Sequence, residues 1–220
     1  MNLALFDLDN TLLIGDSDFE WAQFLIERHI LNREKYEARN LEFYKQYRAG
    51  TLDIHKFLSF QLKPLSHHPR SQLDIWHHEF MEEKITQLIA PGARELIDKH
   101  KLAGDLCIII TATNYFVTAP IVRMLGIDHL IATEPEQKNG EFTGHVSGIP
   151  CFQEGKVTRL EQWLDEHNLT WLSFLNSWFY SDSLNDLPLL NKVTKPVAVN
   201  PDPTLRDHAQ KNNWPIINLR

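Results

Sequence analysis

Apolar positions follow two different rhythms along this chain. Leu3-Ala4-Leu5-Phe6 is a short unbroken apolar run cut off by Asp7 and Asp9, the pattern of a buried strand ending in a loop. Between Asp16 and Ile89 no run of that kind returns. Phe19, Ala22, Leu25 and Ile26 instead recur at helical spacing behind Asp16 or Ser17, either of which suits an N-cap. Further helices are predicted over 32–49, stopped by Gly50, and over 53–62, stopped by Pro64. A fourth begins near Ser71, with Leu73, Trp76 and Phe80 on one face. These stripes predict packing inside a small helical bundle.

From Pro91 onward helix and strand alternate. Residues 93–101 read as helix and 106–110 as a continuous apolar strand of the kind covered on both faces. A helix over 115–125 ends at Gly126, a short strand spans 129–133, and Asn139-Gly140 marks a hairpin turn. An amphipathic helix is predicted over 156–167, then strands over 178–180 and 196–199, with an edge strand within 214–219. The rhythm predicts an α/β fold, a Rossmann-like and mostly parallel sheet whose sites form at the carboxyl ends of its strands. Residues 1–15 and 90–220 make up its core, and 16–89 form an inserted α-helical cap. Short joints near Gly15 and Pro91-Gly92 let that cap rock as a lid.

Composition narrows the possibilities. With 220 residues, 43% of them hydrophobic, the chain can bury one good core and a smaller appended unit. A formal net charge of -7 and the lack of any basic stripe exclude a nucleic-acid partner. No apolar stretch reaches membrane-spanning length, and the opening run lacks the basic segment of a signal peptide. A cytoplasmic protein with no membrane partner is expected, a monomer or weak homodimer. Cys107 heads an apolar strand and reads as core, whereas Cys151 reads as a weakly reactive loop thiol. His67, His68, His77 and His78 lack zinc spacing and read as surface or packing residues.

The strand ends carry the chemistry. The first ends in Asp7-Leu8-Asp9-Asn10-Thr11, the strand over 106–110 in Thr111-Ala112-Thr113, and the strand over 178–180 in Ser181-Asp182-Ser183-Leu184-Asn185-Asp186. Lys156 starts an intervening helix. Each feature alone has a plain reading, as an acidic turn, a helix cap or a solvated lysine. Together they gather carboxylates, a hydroxyl and an ammonium at one sheet edge.

These residues resemble the haloacid dehalogenase superfamily of phosphohydrolases. Asp7-Leu8-Asp9-Asn10-Thr11 matches its first motif, Thr111 the second, Lys156 the third and Asp182-Ser183-Leu184-Asn185-Asp186 the acidic fourth. The helical segment between the first two motifs resembles the cap of the phosphoserine-phosphatase-like branch. The resemblance implies a phosphatase acting on a small phosphorylated metabolite, with Asp7 as nucleophile and Asp9 as general acid and base. Four acids around a phosphate need a hard cation, so Mg²⁺ is the expected cofactor, held by Asp7, the Asp9 carbonyl and Asp182, with Asp186 direct or through water. Thr111, Ala112, Lys156 and Asn185 are then the phosphate-binding residues. Asp9 favours an alkoxide leaving group, because a departing halide needs no proton.

For the substrate, the resemblance assigns Asp16 to an ammonium group. The cap arginine that binds carboxylate in phosphoserine phosphatases aligns with Gln61, with Arg48 nearby. An amine without a carboxylate fits histidinol phosphate, and chains carrying the same Tyr180-Ser181-Asp182-Ser183 run are histidinol-phosphatases. Phosphoserine or another amino-alcohol phosphate is the alternative. A receiver-type signalling module, with Asp7 as phospho-acceptor, is the reading from another class, opposed by Asp9 and by the large insertion.

Overall fold

The computed structural model describes residues 1–220. Its strands are β1 (Leu3–Phe6), β2 (Leu106–Asn114), β3 (His129–Lys138), β4 (Glu141–Ser147), β5 (Ser177–Ser181), β6 (Lys195–Val199) and β7 (Ile216–Ile217). They form one sheet in the order β4-β3-β2-β1-β5-β6-β7. Every pairing is parallel except β3 with β4, the hairpin turned by Asn139 and Gly140, both at positive φ.

β1 sits centrally, with Phe6 paired to Ile109 of β2 and to Tyr180 of β5. All four of its residues are buried because each face of the sheet is covered. Ala4 and Phe6 point into one apolar cluster, Leu3 and Leu5 into the other. The period of two thus divides a single run between two cores.

The helices are α1 (Ser17–Glu27), α2 (Arg33–Arg48), α3 (Ile54–Leu62), α4 (Arg70–Phe80), α5 (Thr86–Leu88), α6 (Ala93–Leu102), α7 (Tyr115–Met124), α8 (Glu154–Glu166), α9 (Leu187–Leu190) and α10 (Pro203–Lys211). One sheet face is covered by α6, α7 and residues of the insertion, the other by α8, α9 and α10. No helix is long and apolar enough to cross a membrane.

Within the insertion, the apolar stripes pack on the α/β layer as well as on one another. Trp21, Phe24 and Leu25 of α1 and Leu73 and Phe80 of α4 belong to the same cluster as Phe6 and Val117. The Trp21 ring meets the edge of Phe116 at 5.7 Å. These inward faces carry more apolar surface than a few short helices can hide among themselves, so they are buried against the α/β layer. Only α2 stands apart: it buries one residue, Phe43, which packs on Phe57 and Phe60 from α3 and its Tyr36 packs on Phe60. The chain crosses between the two parts at an antiparallel bridge from Leu13 to Ile89, flanked by amide bonds from Ile14 to Leu88 at 2.7 Å and from Ala90 to Leu12 at 2.9 Å.

Smaller differences have local causes. α3 does end at Leu62, and Pro64 then opens a 3-10 turn, Lys63–His67, where its missing N–H is not needed. A π-turn over Met81–Ile85 joins α4 to α5. β3 runs on to Lys138 because β4 pairs with its second half, and the last strand shrinks to Ile216–Ile217. α10, which no predicted element anticipates, is capped by Asp202 and buries Leu205 and Ala209.

Candidate active site

Two carboxylates one residue apart leave β1 in different directions. The Asp7 amide extends the sheet by donating to the Tyr180 carbonyl at 2.9 Å. Its carboxylate takes Lys156 Nζ on Oδ1 at 2.8 Å and the Thr11 hydroxyl on Oδ2 at 3.0 Å. Asp9 turns toward the other side. Its Oδ1 accepts the Ser17 amide at 2.6 Å, while Oδ2 accepts Thr113 Oγ1 at 2.8 Å and Thr111 Oγ1 at 3.4 Å. Burial pushes Asp7 up to about 7, with Lys156 pulling against it. Burial and the charge of Asp16 push Asp9 up to about 6, against the pull of its bonds to Ser17 and Thr113. A carboxyl group placed there can both hold and release a proton near neutrality.

Lys156 is 2% exposed. Its ammonium also reaches Asp186 Oδ2 at 2.8 Å, an oxygen that Ser181 Oγ donates to at 2.7 Å. Burial works against the charge of Lys156, but Asp186 and Asp7 outweigh it and hold the amine above its ordinary range. The helix start that carries this lysine is sterically special. A methyl group on Gly155 would collide with the Pro150 carbonyl oxygen, so the first turn of α8 can press against that loop only without a side chain. Gln153, just before it, adopts a positive φ of 49°.

The third strand end completes the cluster. Asp182 accepts only a long bond, from Thr11 Oγ1 at 3.4 Å. Burial, then the charges of Asp7 and Asp186, raise it well above the usual carboxylate range. One lysine therefore faces three carboxylates, and Asp182 is left without a cation. That deficit fits a hard divalent ion. No three His, Cys, Asp or Glu side chains are gathered into a ready-made cage; Mg²⁺, which keeps several waters, is held by one or two carboxylates without one. Both Asp9 oxygens are engaged, leaving its backbone carbonyl as the group it can offer.

The structure thus brings together Asp7, Asp9, Thr111, Lys156, Asp182 and Asp186. Ala112 lies beside them, where the β2–β3 ladder is broken between Ile110 and Asn114, and its carbonyl accepts Thr133 Oγ1. Asn185 donates its amide to the Tyr47 carbonyl at 3.3 Å and accepts Gln153 Nε2 at 3.1 Å. Asp16 uses Oδ1 to cap α1, accepting the amides of Asp18 and Phe19. Arg48 is exposed at the last turn of α2, and Gln61 is half-buried on α3; neither bonds to the cluster.

Sequence reasoning missed Thr113, Ser181 and Tyr47. Thr113 was legible in principle, two residues from Thr111 and so on the same strand face. The reactive-thiol expectation for Cys151 is overturned: the residue is fully buried, burial pushes its thiol up to about 12, and Sγ lies 3.7 Å from the Ile131 carbonyl. His77 is buried, with Nε2 3.0 Å from the Val117 carbonyl.

A family model for haloacid dehalogenase-like hydrolases matches residues 4–191, spanning all three strand ends and Lys156. The chain belongs to that family. A histidinol-phosphatase from Neisseria meningitidis serogroup C is 45% identical over 220 residues, covering 100% of this chain and 99% of the relative. A solved protein from Bordetella pertussis Tohama I, described as of unknown function, is 45% identical with a TM-score of 0.94, covering 100% of this chain and 99% of that one. A phosphoserine phosphatase solved as a phospho-aspartyl intermediate analogue shares the fold, with a TM-score of 0.69 at 22% identity over 100% of this chain and 93% of its own. In this haloacid dehalogenase-like hydrolase, buried Lys156 bridges Asp7 and Asp186 at 2.8 Å each.

Proposed function

We propose that this hydrolase cleaves a small amine-bearing phosphate monoester, histidinol phosphate first, by way of a phosphoryl group carried on Asp7. The enzyme is a phosphatase, a phosphoric monoester hydrolase. The observation that carries the mechanism is the Asp7 carboxylate, fixed between Lys156 Nζ at 2.8 Å and Thr11 Oγ1 at 3.0 Å, with Asp9 held separately by Ser17 and Thr113. Fixing an otherwise weak nucleophile in one orientation is what in-line attack on phosphorus requires.

Asp7 attacks phosphorus; the Asp7–P bond forms as the bond to the leaving alkoxide breaks, and Asp9 gives that oxygen its proton. Asp9 then takes a proton from water, whose oxygen attacks the same phosphorus, returning Asp7 and releasing inorganic phosphate. Thr111, Lys156 and the backbone amides after Asp9 hold the phosphoryl oxygens. Asp7, the Asp9 carbonyl and Asp182 would hold Mg²⁺, with Asp186 direct or through water, and the ion supplies charge neutralisation at the phosphoryl oxygens.

Substrate choice falls to the helices between residues 16 and 89, acting as a cap. Asp16 has a second carboxylate oxygen not used in capping, suited to an ammonium group. Gln61, uncharged, gives a substrate carboxylate no cationic partner, which supports an amino alcohol over an amino acid. The identity with the Neisseria histidinol-phosphatase supports the same choice. The test is a turnover screen of histidinol phosphate, phosphoserine and phosphoethanolamine with Mg²⁺ and after chelation. Histidinol phosphate is expected to give the highest kcat/KM, and chelation to remove activity until Mg²⁺ is restored. A preference for phosphoserine would overturn the substrate, and full activity after exhaustive chelation would overturn the metal.

A further inference from the structure

α2 is the least buried long helix of the molecule, yet it is tied to the α/β layer at one residue. Its other side-chain bonds run along itself: Arg33 to Glu37, Arg39 to Glu42, Gln46 to Glu42. Both hydrogen bonds that leave it for the sheet edge are at Tyr47. The phenol donates to Ser183 Oγ at 2.9 Å, and the Tyr47 carbonyl accepts Asn185 Nδ2 at 3.3 Å.

Those two partners are inside the acid-bearing loop after β5. Ser183 Oγ also accepts the Asn185 amide at 3.3 Å, and the Ser183 amide donates to Ser181 Oγ at 3.2 Å. Ser181 in turn donates to Asp186. On the far side, Asn185 Oδ1 accepts from Gln153, two residues before Gly155 and the helix turn that carries Lys156. An unbroken hydrogen-bonded path therefore runs from the cap helix through the loop holding Asp182 and Asp186 to the lysine that neutralises Asp7. Burial, and then the negative field of Asp182 and Asp186, keep the Tyr47 phenol protonated and hence a donor.

We infer that Tyr47 is a positioning residue that couples the cap helix α2 to the metal-binding acids, so that Mg²⁺ binding and docking of α2 strengthen one another. The inference rests on the reading of Asp7, Asp182 and Asp186 as the metal site. The physical basis is reciprocity: a contact that orders the Asp182–Asp186 loop lowers the cost of gathering ligands, and a bound ion that orders the loop must favour the docked helix by the same factor.

The test uses the full-length protein, Mg²⁺ alone as the probe, and the variant Tyr47→Phe, which keeps the ring and loses the donor. Tyr44→Phe, on the same helix but exposed, is the control. Calorimetric titration is expected to show Mg²⁺ binding weakened about fivefold in Tyr47→Phe, the value of one neutral hydrogen bond, and unchanged in Tyr44→Phe. Hydrogen exchange is expected to show α2 amides protected by Mg²⁺ in the wild type and less so in Tyr47→Phe. A wild type that binds Mg²⁺ while Tyr47→Phe binds it equally well would overturn the coupling and leave the proposed function standing. A wild type that binds no Mg²⁺ would overturn both.

Discussion

The sheet edge and the α2 arm meet at Tyr47 and are built on opposite principles. At the sheet edge every functional carboxylate is hydrogen bonded, and the central ammonium of Lys156 is out of water between two acids. Buried charges of this kind are costly to separate, so their relative positions are fixed. The arm has one buried residue on α2 and surface ion pairs such as Arg33–Glu37, which contribute little. Its contacts are aromatic and local. The difference is one of preorganisation: the charged groups at the strand ends are held in place by one another, while α2 can change at little cost in stability.

The largest expected effect lies at the rigid end. Asp7→Asn keeps the volume and removes the nucleophile, so turnover should fall by at least about a thousandfold while the protein still unfolds cooperatively. Retained turnover in a variant purified free of wild type would move the nucleophile elsewhere. Next is Gly155→Ala. The added methyl must displace the first turn of α8 from Pro150, and with it Lys156. A shift of about 1 Å there predicts a loss of roughly a hundredfold in kcat, with KM less affected. An alanine variant of wild-type activity would show that the loop yields instead.

Asp16→Asn probes the recognition side. KM should rise about tenfold for an amine-bearing substrate and hardly at all for p-nitrophenyl phosphate. Equal losses on both would place Asp16 in support of α1 alone, as its capping bonds allow. The smallest effect concerns the part of the insertion fused to the core. Burial holds His77 below its ordinary pKa. The unfolded chain therefore takes up the proton first, and the stability due to neutral His77 is present above about 6.5 and lost as pH falls. His77→Gln, which keeps a donor for the Val117 carbonyl, should flatten the decline of the denaturation midpoint between pH 7 and 5. An unchanged slope would assign that decline to other groups.

What the sequence disclosed follows the same division. β1 and its acids were legible because a continuous apolar run has one reading in a parallel sheet, and two acids behind it demand a reason. Lys156 was legible only in company, beside the three strand ends and by resemblance. Nothing local separates it from a surface lysine, since its burial depends on Gly155 fitting beneath Pro150. Tyr47 was hidden for the opposite reason: it lies on a polar helix, and its partner Ser183 is 136 residues away. The fusion of α1 and α4 with the sheet was missed because helical periodicity tells which face is apolar and not what will cover it.

The bridge between Leu13 and Ile89 bears on how such proteins diversify. Two backbone segments that run side by side make a natural place to cut out one insertion and splice in another, since the strands on either side need not move. Here the chain path and the packing disagree about where the seam is. A graft joined at that bridge would leave the strand order intact and strip Trp21, Phe24 and Phe80 from the rings and aliphatic groups they cover, exposing Phe116 and its neighbours. The exchangeable piece is therefore smaller than the inserted one. Recombination that respects the core would trade α2 alone, since Leu58 and Leu62 of α3 lie in that same cluster, and variation would be acquired by altering an arm rather than by replacing a domain.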